Sequence, residues 1–412
     1  MPEARHTDPR VGRQRSIGSG RNVSIAAMTL PAANAAPLFT SFLFTLDSER
    51  GHVFEYNKAA GEAARLAGWE HRAAVRAAAR VTDLPAGWEK CLGSPNAWVT
   101  HGPLGKLVKG WQLFASLVGF LNRQSREQRP IILFLEWFET VHLLPFTLAL
   151  ACVPRRQSFY IWLVHRLEAG ENGSDRANDF LIGWMTALVG GRLVHLSDSE
   201  VLVNAPSLAS RKAYLLPIPH TAHLAAEGAR TPALPELIVA WLPGQALPEK
   251  GLETVRKLAA IQCPEAASFE VVASQSANLA AVPGACQVRL LPDVLPRSAY
   301  IAWMQRADLV LLPYDPTRFR ARTSGIFVEA IVAGRTPVVT DGTWMAHELR
   351  QHHLEQLILD WDSPTILADL LRVARDPTLP AQLARMQAAY ADYHSVPGYA
   401  RVIQRVFAET RQ

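Results

Sequence analysis

From Pro37 onward, short apolar runs alternate with longer stretches whose apolar residues recur at helical spacing. "LFTSFLFTL" (38–46) is bounded by polar residues and predicts a buried strand. "FEYNKAAGEAARLAGWE" (54–70) has the Ala/Leu spacing of a helix ending at Gly68, and "HRAAVRAAA" (71–79) follows as a strand. "LGKLVKGWQLFASLVGFLNRQ" (104–124) predicts an amphipathic helix. Further strands are expected at 130–137, 158–165, 191–198 and 213–219, with helices between most of them. The pattern breaks at 221–236, a stretch of small residues and prolines that reads as a linker.

The alternation then restarts. Strands are expected at 237–244, 268–275, 287–293, 308–314 and 336–341, with a short last one in 355–362. Helices are expected at 249–261, 297–307 and 324–335, and 364–411 is mostly helical. Strand–helix alternation of this kind marks a parallel sheet with helices on both faces. Two such units in tandem predict an α/β chain of two doubly wound domains. Ligands then sit beyond the C-terminal strand ends, in the cleft between the domains.

A length of 412 residues suits two cores rather than one. Hydrophobic residues make up 49% and charged residues 19%, as in ordinary globular chains. The net charge of +5 rests on 35 arginines and only seven lysines. Arginine suits bidentate recognition of phosphate, but no dense basic run with interleaved aromatics points to nucleic acid. Cys91, Cys152, Cys263 and Cys286 are scattered without a CxxC, which argues against a zinc site or a disulfide framework and fits a reducing cytoplasm. The first 36 residues are polar, Arg-rich and aperiodic; they predict a disordered tail without the apolar core of a secretory signal. The greasiest window, 131–153, is long enough to span a bilayer. It contains Glu136, Glu139, His142 and a proline, so a buried strand followed by a buried helix is the expectation.

Candidate chemistry concentrates in "TRFRARTSGIFVEAIVAGRTPVVTDGTW" (317–344). Arg318, Arg320 and Arg322 precede a helix opening at Ser324-Gly325, and Glu329 lies past its first turn. Free backbone N–H groups and the positive dipole end at a helix start attract phosphate, while a carboxylate can accept from a ribose diol. The competing reading is a solvated arginine loop before a core helix, with Glu329 on its wet face. "VAWLPGQALPEKGLETVRKL" (239–258) supplies a second strand–Gly–helix unit, in which Lys250 beside Gly251 is another phosphate candidate. It is not a P-loop, since GxxxxGK[ST] is absent.

Together, these stretches resemble the GT-B glycosyltransferases, specifically the large retaining group that uses nucleotide sugars. Gly244, Lys250 and Gly251 match the family's first glycine and its Lys-Gly; "ADLVLLPY" (307–314) and "EAIVAGRTPVVTDG" (329–342) match the rest. "GHVFEYNKAAGEAARLAGWE" (51–70) is similar to the family's first loop and helix. The resemblance covers about residues 38–400 and implies two tandem Rossmann-like domains with an inter-domain cleft. Two positions depart from the pattern. Gln245 stands where the family has an arginine, and Ala321 where it has the first glutamate of a pair.

What the resemblance implies is a transferase moving a sugar from a nucleotide-diphosphate donor to a glycan, lipid-linked or small-molecule acceptor, with retention. Gly244, Gln245, Lys250, Arg318, Arg320, Arg322, Ser324, Gly325 and Glu329 would hold the donor; His165 and His52 would stand on the acceptor side near the reacting centre. No metal or cofactor is required, because cations and a helix dipole can stabilise the leaving diphosphate. A sugar-nucleotide epimerase or an inactive nucleotide-sugar binder are the alternatives. The expected organisation is a tail (1–36), an acceptor domain (37–222), a linker (223–236), a donor domain (237–392) and a C-terminal helix (393–412) crossing back to the first domain. The expected location is cytoplasmic, with a peripheral contact at the membrane face. "HELRQH" (347–352) misses zinc spacing by one residue, and "DWD" (360–362) follows the last strand; both read as structural.

Overall fold

The computed structural model describes residues 35–49, 52–93, 103–167, 175–209, 211–219 and 237–411. The expected tail (apart from its last two residues) and the expected linker lie outside this range. The first lobe contains seven strands: β1 Leu38–Leu43, β2 Glu70–Arg76, β3 Trp88–Leu92, β4 Ile131–Leu135, β5 Phe159–Val164, β6 Leu193–Ser197 and β7 Ala213–Leu215. Its helices are α1 His52–Leu66, α2 Pro103–Gln124, α3 Thr140–Cys152, α4 Asp175–Val189, α5 Glu200–Val203 and α6 Pro206–Ala209. The second lobe contains β8 Ile238–Trp241, β9 Phe269–Ser274, β10 Gln287–Leu291, β11 Leu309–Leu312, β12 Thr336–Thr340 and β13 Ile358–Leu359. Its helices are α7 Leu252–Ala259, α8 Arg297–Arg306, α9 Pro316–Phe319, α10 Gly325–Val332, α11 Trp344–Gln351, α12 Ile366–Ala374 and α13 Leu379–Tyr393, followed by α14 Val396–Thr410.

Each lobe is one parallel sheet. The orders are β3-β2-β1-β4-β5-β6-β7 and β10-β9-β8-β11-β12-β13. The chain starts mid-sheet in both, winds to one edge, then crosses to the other. The crossings leave switch points between β1 and β4 and between β8 and β11, where a crevice opens at the C-terminal strand ends. The central strands β1, β4, β8, β9 and β11 are buried along their whole length, which accounts for their unbroken apolar runs.

The window 131–153 is β4 followed by α3, and among the described residues no helix is long and apolar enough to cross a membrane. Two short elements were not expected. β3 contains Glu89 and Lys90 on an edge, and α9 lies inside what reads as an arginine loop. The four cysteines are free thiols.

α14 leaves the second lobe and packs against α1. Tyr399, Ile403, Val406 and Phe407 enter the same core as Phe39, Trp69 and Trp162. Direct bonds also join the lobes: Trp344 Nε1 donates to Glu200 (3.2 Å), and the Ile218 amide donates to His394 (3.0 Å).

Candidate active site

A cavity of about 820 Å³ opens at the switch point of the second sheet. The segment after β8 turns at Gly244, whose φ of 79° is a left-handed value that glycine adopts without strain. The Ala246 amide donates to Ser274 Oγ (3.2 Å) at the end of β9, which pins this turn to the neighbouring strand. A second tight turn follows at Gly251 (φ 80°). A Cβ there would overlap the Pro313 carbonyl oxygen and lie 2.8 Å from the Pro313 Cβ. The Asp315 amide donates to the Glu249 carbonyl (3.0 Å), so the turns after β8 and β11 are joined. Lys250 is thereby placed on the cavity wall, with Nζ 5.9 Å from the centre of the Tyr314 ring. Burial holds its ammonium pKa below the usual lysine value, with Glu249 opposing.

α10 opens on the same cavity. Ser324 is its N-cap and accepts from the Phe327 amide (3.2 Å); Thr323, Ser324 and Gly325 all line the wall. Glu329, only 4% exposed, lies one turn further in and lines the cavity too. It accepts from the Tyr300 hydroxyl (2.6 Å) and from Arg297 (3.2 Å), both on α8. Burial and the Glu329 charge raise the Tyr300 pKa well above the ordinary tyrosine value, so this phenol stays a donor. A lone carboxylate in an apolar helix is thus paired and hydrogen-bonded, as a buried charge must be. The loop after β10, including Asp293 and Pro296, closes the far side. Glu49 and Glu55 of the first lobe complete the lining, so the cavity lies between the lobes.

Of the residues singled out from sequence, Gly244, Lys250, Ser324, Gly325 and Glu329 line this cavity. Gln245 is exposed beside it and is not part of the wall. Arg318 and Arg320 are exposed and Arg322 is half-buried, and none of the three lines the cavity. Arg318 lies within the helical turn α9, which Asp315 caps by accepting from the Thr317 amide (2.8 Å), and Arg320 and Arg322 follow that turn. Ala321 is buried. His165 follows β5, where its Nε2 lies 2.9 Å from His195 Nδ1 and Phe138 packs edge-on. Burial, reinforced by His195, lowers its pKa to about 3, so the imidazole is neutral. It does not line the cavity. His52 is the first residue of α1, and its side chain lies outside the described residues.

Sequence reasoning did not find Arg297 and Tyr300. The usable signal was their position: both open the helix that follows β10, the strand end flanking the cavity. The sequences at 347–352 and 360–362 lie away from the site, with His347 bonded to Gln351 on an exposed face and Asp362 paired with Lys257.

A buried ionic cluster occupies the C-terminal edge of the first sheet. Arg166 donates to Asp198 (2.9 Å) and forms an ion pair with Glu136 (3.3 Å), and Asn57 donates to Glu136 (2.7 Å). The Arg166 guanidinium lies 4.3 Å from the centre of the Tyr56 ring, and Tyr56 meets the Tyr399 hydroxyl of α14 (3.4 Å). Burial pushes the Glu136 pKa up, with Arg166 opposing.

No protein-family model matches the sequence, and no curated protein matches it. Solved structures do. Sucrose-phosphate synthase from Thermosynechococcus elongatus superposes with a TM-score of 0.60 at 13% identity, covering 91% of this chain and 99% of that one. HepE from Anabaena, in complex with UDP, gives 0.60 at 13% identity over 90% of this chain and 100% of that one. A Listeria monocytogenes chain assigned as a UDP-N-acetylglucosamine 2-epimerase gives 0.54 at 13% identity over 91% and 98%. With two parallel sheets and about nine-tenths of its length matched, the chain has the two-domain GT-B fold.

Proposed function

We propose that this protein transfers a sugar from a nucleotide-diphosphate sugar to an acceptor. The observation that supports this most strongly is the convergence of Lys250, the opening of α10 at Ser324-Gly325 and Glu329 on one inter-lobe cavity. In this reading the diphosphate lies against the α10 amides and Lys250, and the ribose faces Glu329. Charge that builds on the departing diphosphate meets a fixed cation and a helix dipole, so both groups assist the reaction as well as binding. The reading needs no bound metal. The first-lobe wall, with Glu49 and Glu55, faces the acceptor, and retention follows the resemblance to the retaining group.

Thermal unfolding with UDP, GDP, ADP, dTDP and their sugar conjugates at about 1 mM tests the donor site. A ligand with a Kd of about 10 μM adds roughly 2.7 kcal/mol, a shift of several degrees. No shift with any nucleotide would remove the donor site. The epimerase-like neighbour keeps a second reading open, conversion of the donor alone. Sugar-nucleotide turnover without acceptor would select it; release of free nucleotide only when acceptor is added would select transfer.

A further inference from the structure

Glu329 is held at both of its oxygens. The Tyr300 hydroxyl donates to Oε2 (2.6 Å), and Arg297 donates from Nη1 to Oε1 (3.2 Å). The two donors are three residues apart on α8 and share one face of it. The Tyr300 ring packs against the buried Trp241, with 5.3 Å between ring centres, and the Arg297 guanidinium lies 5.5 Å from the centre of the Tyr300 ring. The Glu329 carboxylate therefore cannot turn about its terminal bond without giving up one of these contacts.

α8 also shows what a purely structural pairing looks like. Arg306, at its other end, faces Glu270 (3.9 Å), which Arg289 holds as well (2.7 Å). Glu270 does not line the cavity, whereas Glu329, Arg297, Tyr300 and Trp241 all do. The Glu329 side chain is only 6% exposed and that of Arg297 43%. Glu329 is thus withdrawn from bulk water and yet stands on the cavity wall.

A carboxylate oxygen has two lone pairs in its plane. With one on each oxygen taken by the protein, Glu329 has one left on each, side by side. Two adjacent hydroxyls fill both. A ligand with a single hydroxyl there leaves a buried acceptor unmet, which is costly once the ligand has excluded water. A carboxylate free to rotate could turn to meet that single hydroxyl; the bonds from Tyr300 and Arg297 prevent it.

We propose that Arg297 and Tyr300 are positioning residues that make the cavity selective for an intact ribose diol, so that it takes ribonucleoside diphosphates and refuses their 2′-deoxy counterparts. This selectivity rests on the donor reading above and narrows it to one class of nucleotide. dTDP and its conjugates, which lack the 2′-hydroxyl, are excluded.

Calorimetric titration of the full chain with three matched pairs tests the proposal: UDP and 2′-deoxy-UDP, ADP and 2′-deoxy-ADP, GDP and 2′-deoxy-GDP. Base and diphosphate are the same within a pair, so the affinity ratio reads the diol alone. For the base that binds, the wild type should prefer the ribonucleotide at least about tenfold. Tyr300→Phe and Arg297→Met should each bring that ratio to about threefold or less, because the released carboxylate can turn. Thermal unfolding establishes that the variants fold; a merely structural pairing would move the unfolding temperature and leave the ratio alone. A wild-type ratio near one, dTDP binding as tightly as UDP, or a ratio that either variant leaves at the wild-type value overturns the proposal while the donor site stands. Absence of binding by every nucleotide overturns both.

Discussion

Glu348 allows a test of how the lobes are joined. It lies buried on α11, where it accepts from the Tyr390 hydroxyl of α13 and faces Glu200 of the first lobe. Trp344, one turn earlier on α11, donates to that same Glu200. Burial and then the Glu200 charge raise the Glu348 pKa from the ordinary 4.5 to about 7, with the Tyr390 bond opposing. An acid held protonated by the fold contributes stability that is complete below its unfolded value near 4.5. That contribution is lost as pH rises through about 7. The difference between those two values corresponds to at most about 3 kcal/mol. For a chain of this size that is roughly 3–4 °C of unfolding temperature. Glu348→Gln keeps an oxygen for Tyr390 but cannot ionise. The expected outcome of thermal unfolding from pH 5 to 8 is a wild type that loses stability relative to the variant as pH rises. A wild-type-to-variant difference that stays constant across this range would refute the raised Glu348 pKa.

Other outcomes follow from the cavity and the ionic cluster. Glu329→Gln retains an acceptor for Tyr300 and should fold, while weakening nucleotide binding about tenfold in a calorimetric titration; an unchanged affinity would remove Glu329 from the site. Lys250→Met should weaken a nucleoside diphosphate about tenfold and leave the nucleoside unaffected, measured side by side, because only the phosphates meet the ammonium. Gly251→Ala forces a Cβ into the Pro313 carbonyl at a left-handed φ, and should cost more than about 2 kcal/mol in urea unfolding. Arg166→Met strands Glu136 and Asp198 without their cation, and should destabilise by roughly 3–5 kcal/mol in the same assay.

What could be read from sequence, and what could not, follows the range of the forces involved. The central strands are buried on both faces, so unbroken apolar runs such as "PIILFLEW" announced them. β3 is an edge strand in which only Trp88 and Leu92 are buried, and its Glu-Lys centre hid it. Gly244, Lys250 and Ser324 were legible because a turn glycine and a helix start are local features of the chain. Arg297 and Tyr300 reach Glu329 only through the packing of α8 beside α10, a contact 32 and 29 residues away that no local pattern encodes. The three arginines illustrate the converse. Closeness in sequence to a helix start suggested a phosphate grip, but the Asp315-capped turn between strand and helix carries them off the cavity wall. Asp-Pro-Thr at 315–317 is a helix-start signal that could have shown it.

The path of α14 has a consequence for biosynthesis. The last strand of the first sheet ends at Leu215, yet the helix that closes the core around Phe39, Trp69 and Trp162 begins at Val396, roughly 180 residues later. At ribosomal rates of about 5–20 residues per second, that is an interval of roughly 10–40 s. Throughout it the emerging first lobe exposes an uncovered aromatic surface, while the second lobe is completed ahead of it. A ribosome stalled before Val396 would therefore hold a nascent chain whose later half is the better folded, and whose earlier half is the natural client of a chaperone.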